Sequence, residues 1–191
     1  MRPTATVLLL ALVAWVAAIA AAGTAAMGAF ASLPRLGISV SGTEAFFSGD
    51  TAEMGRYAAG RMLAPVFMLG DWVQIGASSL CVACTVRLAR LHGMLGAAWA
   101  RRALVACVAV AASLMAYRAW TAPGMSADLL AYWQAVEAGD RDAATAARSS
   151  FDAVHRTADA LLRVSFFVVL GAITVLPAAI VPAHPPHSTD A

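Results

Sequence analysis

The stretch from Met62 to Val86 reads MLAPVFMLGDWVQIGASSLCVACTV. It is long enough to cross the ~30 Å hydrocarbon layer of a membrane as a helix, which takes ~20 residues. A single charged side chain, Asp71, interrupts it. Because lipid cannot hydrogen-bond, this stretch predicts a transmembrane helix whose polar residues face other parts of the protein.

Three more apolar stretches accompany it, and charged residues make up only 13% of the chain, against about a quarter in soluble domains. We therefore predict an all-α fold, an integral membrane four-helix bundle with partly helical extracytoplasmic segments. It forms a single transmembrane domain over residues 1–191, with the lipid bilayer as its surroundings. The predicted spans are 7–31, 62–86, 99–120 and 161–181, the outer segments 32–61 and 121–160, the cytoplasmic loop 87–98 and the disordered tail 183–191.

The distribution of charge predicts how the chain is threaded. The loop between the second and third spans is basic and contains no acid, so we expect it to be cytoplasmic. Both termini are then cytoplasmic, and the acid-containing outer segments face outward. The basic residues beside this loop are Arg87, Arg90, His92, Arg101 and Arg102.

The composition also bears on source and partners. The net charge of +2 is too small to indicate nucleic-acid binding, and no nucleic acid is expected. All 13 basic residues are Arg and Ala is abundant, which suggests a GC-rich bacterial genome and thus the inner (cytoplasmic) membrane.

The first span has an alternative interpretation. Arg2, an apolar run and the small residues 20–22 resemble a cleaved signal peptide. The run continues through Phe30, however, and is longer than the ~7 to 15 residues of a signal core. A retained first helix is therefore favoured, with cleavage left open.

The outer segments contain helix-start patterns. Asp50 and Glu53 have the spacing of an N-cap and its reciprocal acid, so a helix should begin at Thr51 and lead into the second span. Pro65 should bend it.

In the other outer segment, Ser126 can cap a short separate helix that ends at Gly139. Asp140 can then cap a long helix that starts at Arg141 and continues into the last span.

A polar stripe in the second span is the main candidate site. Its residues follow a spacing of three and four, which places them on one helix face, and Asp71 lies about 4 to 5 Å from the midplane of that span. A charged carboxylate there costs at least ~2.5 kcal/mol. In one interpretation Asp71 carries a proton or binds a cation or a polar substrate group. In the other it is protonated and hydrogen-bonds a neighbouring helix in a purely structural role. The proposed intramembrane polar site is Asp71, Gln74 and Ser78, continued by Cys81 and Thr85.

We do not expect a salt bridge to Asp71, because Arg163 should point away toward the outer surface. Arg163 instead forms a charged face with His155 and Asp159 at the outer interface. This face is either an entrance toward Asp71 that uses a titrating histidine, or a solvated helix end.

The cysteines and histidines predict no cofactor and no metal. Cys81 and Cys84 have dithiol spacing but no cationic neighbour, so packing is favoured over redox chemistry. His92 and His155 belong to opposite membrane faces and cannot share a haem. His184 and His187 lie in a proline-rich tail and do not make a metal site.

The function is therefore narrowed to three hypotheses, none of them enzymatic. The first is a transport-like or membrane-homeostasis protein that uses the polar site. The second is a membrane thiol redox protein using Cys81 and Cys84. The third is a structural subunit, whose partner is another membrane protein or, in a homo-oligomer, a second copy.

The segment from Phe151 through His155 into the last span resembles a bacterial family of four-span proteins similar to eukaryotic transmembrane protein 205. Further likeness is carried by Leu33-Pro34, by Gly60-Arg61 with Phe67 and Asp71, and by Pro123. The resemblance implies a four-helix membrane bundle and no known reaction.

Overall fold

The computed structural model describes residues 2–38, 40–92 and 96–181, and every regular element in this part of the chain is helical. The prediction of an all-α fold is confirmed. The tail 183–191 lies outside the described residues. The helices are α1 (Arg2–Ser32), a 3-10 helix (Leu33–Leu36), α2 (Glu44–Phe47), α3 (Thr51–Arg87), a π-helical turn (Leu88–His92), α4 (Ala98–Ala138) and α5 (Arg141–Ile180).

Four of these helices, α1, α3, α4 and α5, are long and apolar enough to cross a membrane. Large apolar side chains lie on their outer surface, including Leu10 (62% exposed), Trp72 (66%) and Phe167 (70%). Such a surface is stable against lipid and unfavourable in water. The chain is a multi-pass membrane protein.

The last three long helices exceed the membrane thickness. They contain 37, 41 and 40 residues, which corresponds to roughly 55 to 60 Å at 1.5 Å per residue. About half of each helix therefore extends past a ~30 Å layer. We call the end of the bundle that holds residues 33–38, 40–61 and 121–160 the capped end. The opposite end, beside residues 87–92 and 96–98, is the arginine-rich end.

Helix caps at the capped end follow the predicted pattern in part. Asp50 accepts hydrogen bonds from the backbone N–H groups of Ala52 and Glu53 at 3.0 Å each, and α3 runs unbroken into the apolar stretch. The predicted reciprocal bond, from the Asp50 backbone N–H to the Glu53 carboxylate, is replaced by other contacts of both groups. The Asp50 N–H donates to the Phe47 carbonyl at 2.9 Å, and the Glu53 carboxylate is used in ion pairs.

The expectation of a separate helix capped by Ser126 is wrong. The helix α4 continues through Pro123 and Ser126 to Ala138, because packing along α5 offsets the hydrogen bond that the proline removes. The turn that follows is as predicted. Gly139 adopts a left-handed conformation (φ 75°), and Asp140 accepts from the Ala143 N–H at 3.0 Å.

The long helices form two hairpins. We call α1 with α3 the first hairpin and α4 with α5 the second, since each pair packs along its length more extensively than the hairpins pack on each other. An apolar core joins the hairpins on the side of the arginine-rich end. It includes Leu12, Trp15, Cys81, Leu104 and Val169. A smaller cluster around Tyr57, Val136 and Ala144 joins them at the capped end.

Gly55 permits a close contact between α3 and the 3-10 helix that follows α1. A Cβ at this position would lie 2.5 Å from the Pro34 Cα and 2.8 Å from the Leu33 carbonyl carbon. We expect Gly55→Ala to destabilise the protein by ~2 to 3 kcal/mol, because backbone atoms must move apart. Unfolding in denaturant measures this loss. Gly60→Ala in the same helix, where an added Cβ would meet no described atom within 4 Å, is the control. Equal stability of the two variants would show that the contact is not tight.

Candidate functional site: an ion pair between the hairpins

Asp71 in α3 and Arg118 in α4 form an ion pair between the two hairpins. The Arg118 Nη2 donates to the Asp71 Oδ1 at 2.7 Å, and the Nη1 donates to the Gln74 Oε1 at 3.0 Å. The Gln74 Nε2 in turn donates to the Gly70 carbonyl at 3.2 Å. Both ends of the amide are therefore engaged, and the guanidinium is held by two side chains one turn apart. We call Asp71, Gln74 and Arg118 the charged centre.

The expectation that Asp71 has no arginine partner is wrong. Arg163 does point elsewhere, but Arg118 on the antiparallel helix α4 reaches Asp71. The sequence carries one signal for this pair, because Arg118 lies two residues inside the predicted end of the span 99–120. A charge inside a span usually has a partner, and Asp71 is the acid inside a neighbouring span.

Two tryptophans on α4 bear on the depth of the centre. Trp99 (64% exposed) and Trp120 (84% exposed) lie on α4 about 31 Å apart at 1.5 Å per residue, as expected for side chains at the two membrane surfaces. Arg118 lies two residues from Trp120, toward the capped end of this interval. The depth derived for Asp71 from span 62–86 stays a prediction.

Burial within the centre is uneven. The Arg118 side chain is 13% exposed and that of Asp71 is 31% exposed, while Gln74 is 2% exposed. The positive charge is thus enclosed and depends on Asp71 for neutralisation. The carboxylate remains accessible from one side. Loss of the carboxylate charge would leave this base enclosed without a counter-ion, which is costly.

The rest of the polar stripe points into the bundle as predicted. Ser78 (7% exposed), Cys81 (0%) and Thr85 (5%) continue below Gln74 on the same face of α3. The opposite face is exposed, with Leu69 at 65% and Leu80 at 44%. The structure therefore brings Asp71, Gln74 and Ser78 together on the interior face.

Further polar bridges join the hairpins at the capped end. Arg61 binds Glu137, and its guanidinium lies over the rings of Tyr57 and Trp133 at 5.8 and 5.4 Å. The hydrogen bonds to Tyr57 and Glu137 raise the pKa of Arg61 above its ordinary value. A second bridge, Arg148 to Glu53 at 3.4 Å, joins α5 to α3.

The outer-interface charged face is not part of the centre. Arg163 pairs with Asp159 at 2.6 Å, with side chains 75% and 43% exposed, and His155 is exposed and stacks on Phe151 at 4.9 Å. Within residues 2–38, 40–92 and 96–181, no hydrogen bond or ion pair links this face to Asp71. The geometry favours a solvated helix end.

Cys81 and Cys84 are free thiols in the apolar core. Their burial leaves no surface on which an exchange partner could dock, which favours the packing role. In the described part of the chain, no group of three or more His, Cys, Asp or Glu residues is arranged to hold a metal. His184 and His187 lie outside that part.

Comparison with models of known protein families, with curated proteins and with solved structures found no match to this chain. The resemblance to the transmembrane protein 205 group therefore stays a prediction. The fold and the site define a class: a multi-pass, four-helix membrane protein of two hairpins linked by an ion pair.

Proposed function

We propose that this protein is a transport-like membrane protein whose charged centre is a proton-dependent latch between the two hairpins. The observation that carries the proposal is the 2.7 Å bond between an enclosed Arg118 and an accessible Asp71. We also propose a bacterial inner membrane location, with the arginine-rich end and both termini in the cytoplasm. The support for this is the acid-free basic loop.

The packing supports a latch because the large apolar core joins the hairpins on the arginine-rich side, while polar bridges and a small apolar cluster join them toward the capped end. At the level of Asp71, the described side-chain hydrogen bonds between α3 and α4 are those of Arg118 to Asp71 and Gln74. Loss of the ion pair would therefore remove a large share of the local attraction between α3 and α4. Separation of the hairpins there is a rigid-body motion that leaves each hairpin intact.

Protonation of Asp71 provides the switch. A neutral carboxylic acid no longer compensates the charge of Arg118, and an uncompensated enclosed guanidinium is costly. Arg118 is then driven toward water at the capped end, and the hairpins separate. Deprotonation restores the link, so one proton bound or released at Asp71 changes the state of the bundle.

We expect Asp71→Asn to abolish proton-dependent transport. The test uses proteoliposomes that contain a trapped pH-sensitive dye, with an imposed pH jump across the membrane. The unmodified protein should speed the internal pH change, and Asp71→Asn should fall to the rate of protein-free vesicles. The asparagine amide has no carboxyl group to bind and release the proton, while it retains the size of the carboxylate.

The control is Asp142→Asn, which changes an exposed acid in the first turn of α5. It should transport at the unmodified rate. Equal rates for the unmodified protein, Asp71→Asn and empty vesicles would reject the proposed function.

A further inference from the structure

Three buried polar atoms lack a hydrogen-bond partner within the described chain. They are the Trp15 Nε1 in α1, the Thr85 Oγ1 in α3 and the Ser165 Oγ in α5. The exposed fractions of these residues are 0%, 5% and 3%. Unpaired polar groups in a membrane-level core are costly, and in proteins such groups usually hold ordered water.

Other hydroxyls in the long helices behave differently. Six of them donate to a carbonyl three or four residues earlier in their own helix, at 2.8 to 3.2 Å. That bond is the usual way in which a helical Ser or Thr is satisfied in lipid. Thr85 and Ser165 do not form it, although both are buried. The six residues whose hydroxyls bond their own helix are Thr24, Ser79, Ser113, Thr121, Thr145 and Thr174.

The helix register places Trp15 at the same level as Ser78, a residue of the polar stripe on α3. A Cβ on Gly70 would lie 4.0 Å from that of Ala22, and Trp15 and Ser78 lie seven and eight residues further toward the arginine-rich end. Both are thus ~10 to 12 Å below that contact at 1.5 Å per residue.

Ser165 belongs to the same region of the core. A Cβ on Gly171 would lie 3.8 Å from the Cys107 Sγ, which fixes the register of α4 against α5. Ser165 is then ~7 to 8 Å below Arg118 at 1.5 Å per residue. Polar groups from α1, α3 and α5 therefore occupy neighbouring levels beneath the charged centre.

Thr85 extends this series to the arginine-rich end. It lies two residues from the exposed Arg87, and Ser78 and Thr85 share the interior face of α3 with Asp71. Polar atoms thus occur at intervals from the accessible carboxylate to the other membrane surface.

We infer that the core between the charged centre and Arg87 holds water bound to Trp15, Ser165 and Thr85, and that this hydrated track carries protons to and from Asp71. Each proton that enters at one end releases one at the other by exchange along hydrogen bonds. The number of O–H bonds formed along the track equals the number broken. This inference rests on the proposed function. The transported species is then the proton, and its path is the interior of the bundle.

The test removes the hydroxyls with little change in size, with Ser165→Ala and Thr85→Val. If the hydroxyls hold water, each variant should lower the thermal midpoint by ~2 to 4 °C and slow proton entry into dye-loaded vesicles. If they are dry and unpaired, their removal should raise the midpoint. Thr174→Val in α5 and Ser79→Ala in α3, whose hydroxyls bond their own helices, are the matched controls and should leave proton entry unchanged.

A second measurement does not depend on transport. Magnetisation transfer from water, measured by NMR on the unmodified protein in bilayers, should reach the side chains of Ser165 and Thr85. It should not reach Val169, which is 0% exposed on the same helix as Ser165. A raised midpoint in the variants, or absence of transfer to Ser165 and Thr85, would overturn the inference.

The two proposals fail separately. If Asp71→Asn transports normally while water reaches Ser165, the latch is wrong and the hydration remains. If transport depends on Asp71 but water does not reach the core, the hydrated track is wrong.

Discussion

Gly96→Ala should destabilise the protein by ~3 to 5 kcal/mol, the largest loss that we expect from a single methyl group. A Cβ at residue 96 would lie 2.1 Å from the Ala178 carbonyl oxygen and 2.5 Å from the Ala179 carbonyl carbon. These are backbone atoms at the end of α5, so no side-chain rotation relieves the clash. The segment must move away from the helix.

That movement would also break two hydrogen bonds. The Gly96 N–H donates to the Ala179 carbonyl at 3.1 Å, and the Ala97 N–H donates to the Ala178 carbonyl at 3.0 Å. These donors satisfy carbonyls in the last turn of α5 that have no partner within the helix. Buried carbonyls left without partners add their desolvation cost to the steric loss.

Unfolding in denaturant, followed by circular dichroism in detergent, measures the effect. Gly124→Ala is the control, since this glycine lies in α4 and a Cβ added to it would meet no described atom within 4 Å. Alanine there should be neutral or stabilising by up to ~1 kcal/mol, because it favours the helix. A Gly96→Ala variant as stable as Gly124→Ala would contradict the close approach of this segment to α5.

Asp71→Asn should cost ~2 to 3 kcal/mol of stability. Breaking a buried ion pair typically costs about 3 to 5 kcal/mol, and the expected value is lower here because the Asp71 side chain is 31% exposed. The loss arises from Arg118, whose charge would remain enclosed without an anionic partner. Arg118→Gln should cost less, because the remaining Asp71 carboxylate has access to solvent.

Asp159→Asn is the matched control for this loss. Asp159 also pairs with an arginine, Arg163 at 2.6 Å, but the two side chains are 43% and 75% exposed. An exposed pair four residues apart on a helix contributes about 0.3 to 0.5 kcal/mol. Equal losses for Asp71→Asn and Asp159→Asn would mean that the charged centre is no more enclosed than a surface pair.

The sequence predicted the class of fold and the direction of the polar stripe because both follow from solvation. Apolar runs of ~20 residues have few stable arrangements outside a membrane, and polar residues at helical spacing must turn from lipid. Local signals were equally direct: Asp50, Gly139 and Asp140 occupy the helix ends that their chemistry favours.

Features that depend on contacts between helices were harder to predict. Ser126 is a good cap in isolation, yet packing of α4 along α5 keeps the helix intact past it. The Asp71 and Arg118 pair joins residues 47 positions apart, so it depends on the register of α3 against α4. One sequence does not specify that register, and the unpaired hydroxyls of Thr85 and Ser165 likewise become visible only once the core is assembled.

A double-mutant cycle at the charged centre tests the latch most directly. Unfolding free energies are measured for the unmodified protein, Asp71→Asn, Arg118→Gln and the double variant. We predict a coupling energy of ~1.5 to 3 kcal/mol, with the double variant more stable than the sum of the single losses implies. We also predict that the exchanged pair, Asp71→Arg with Arg118→Asp, regains part of the stability. Additive losses within ~0.5 kcal/mol would contradict an ion pair that holds the two hairpins together.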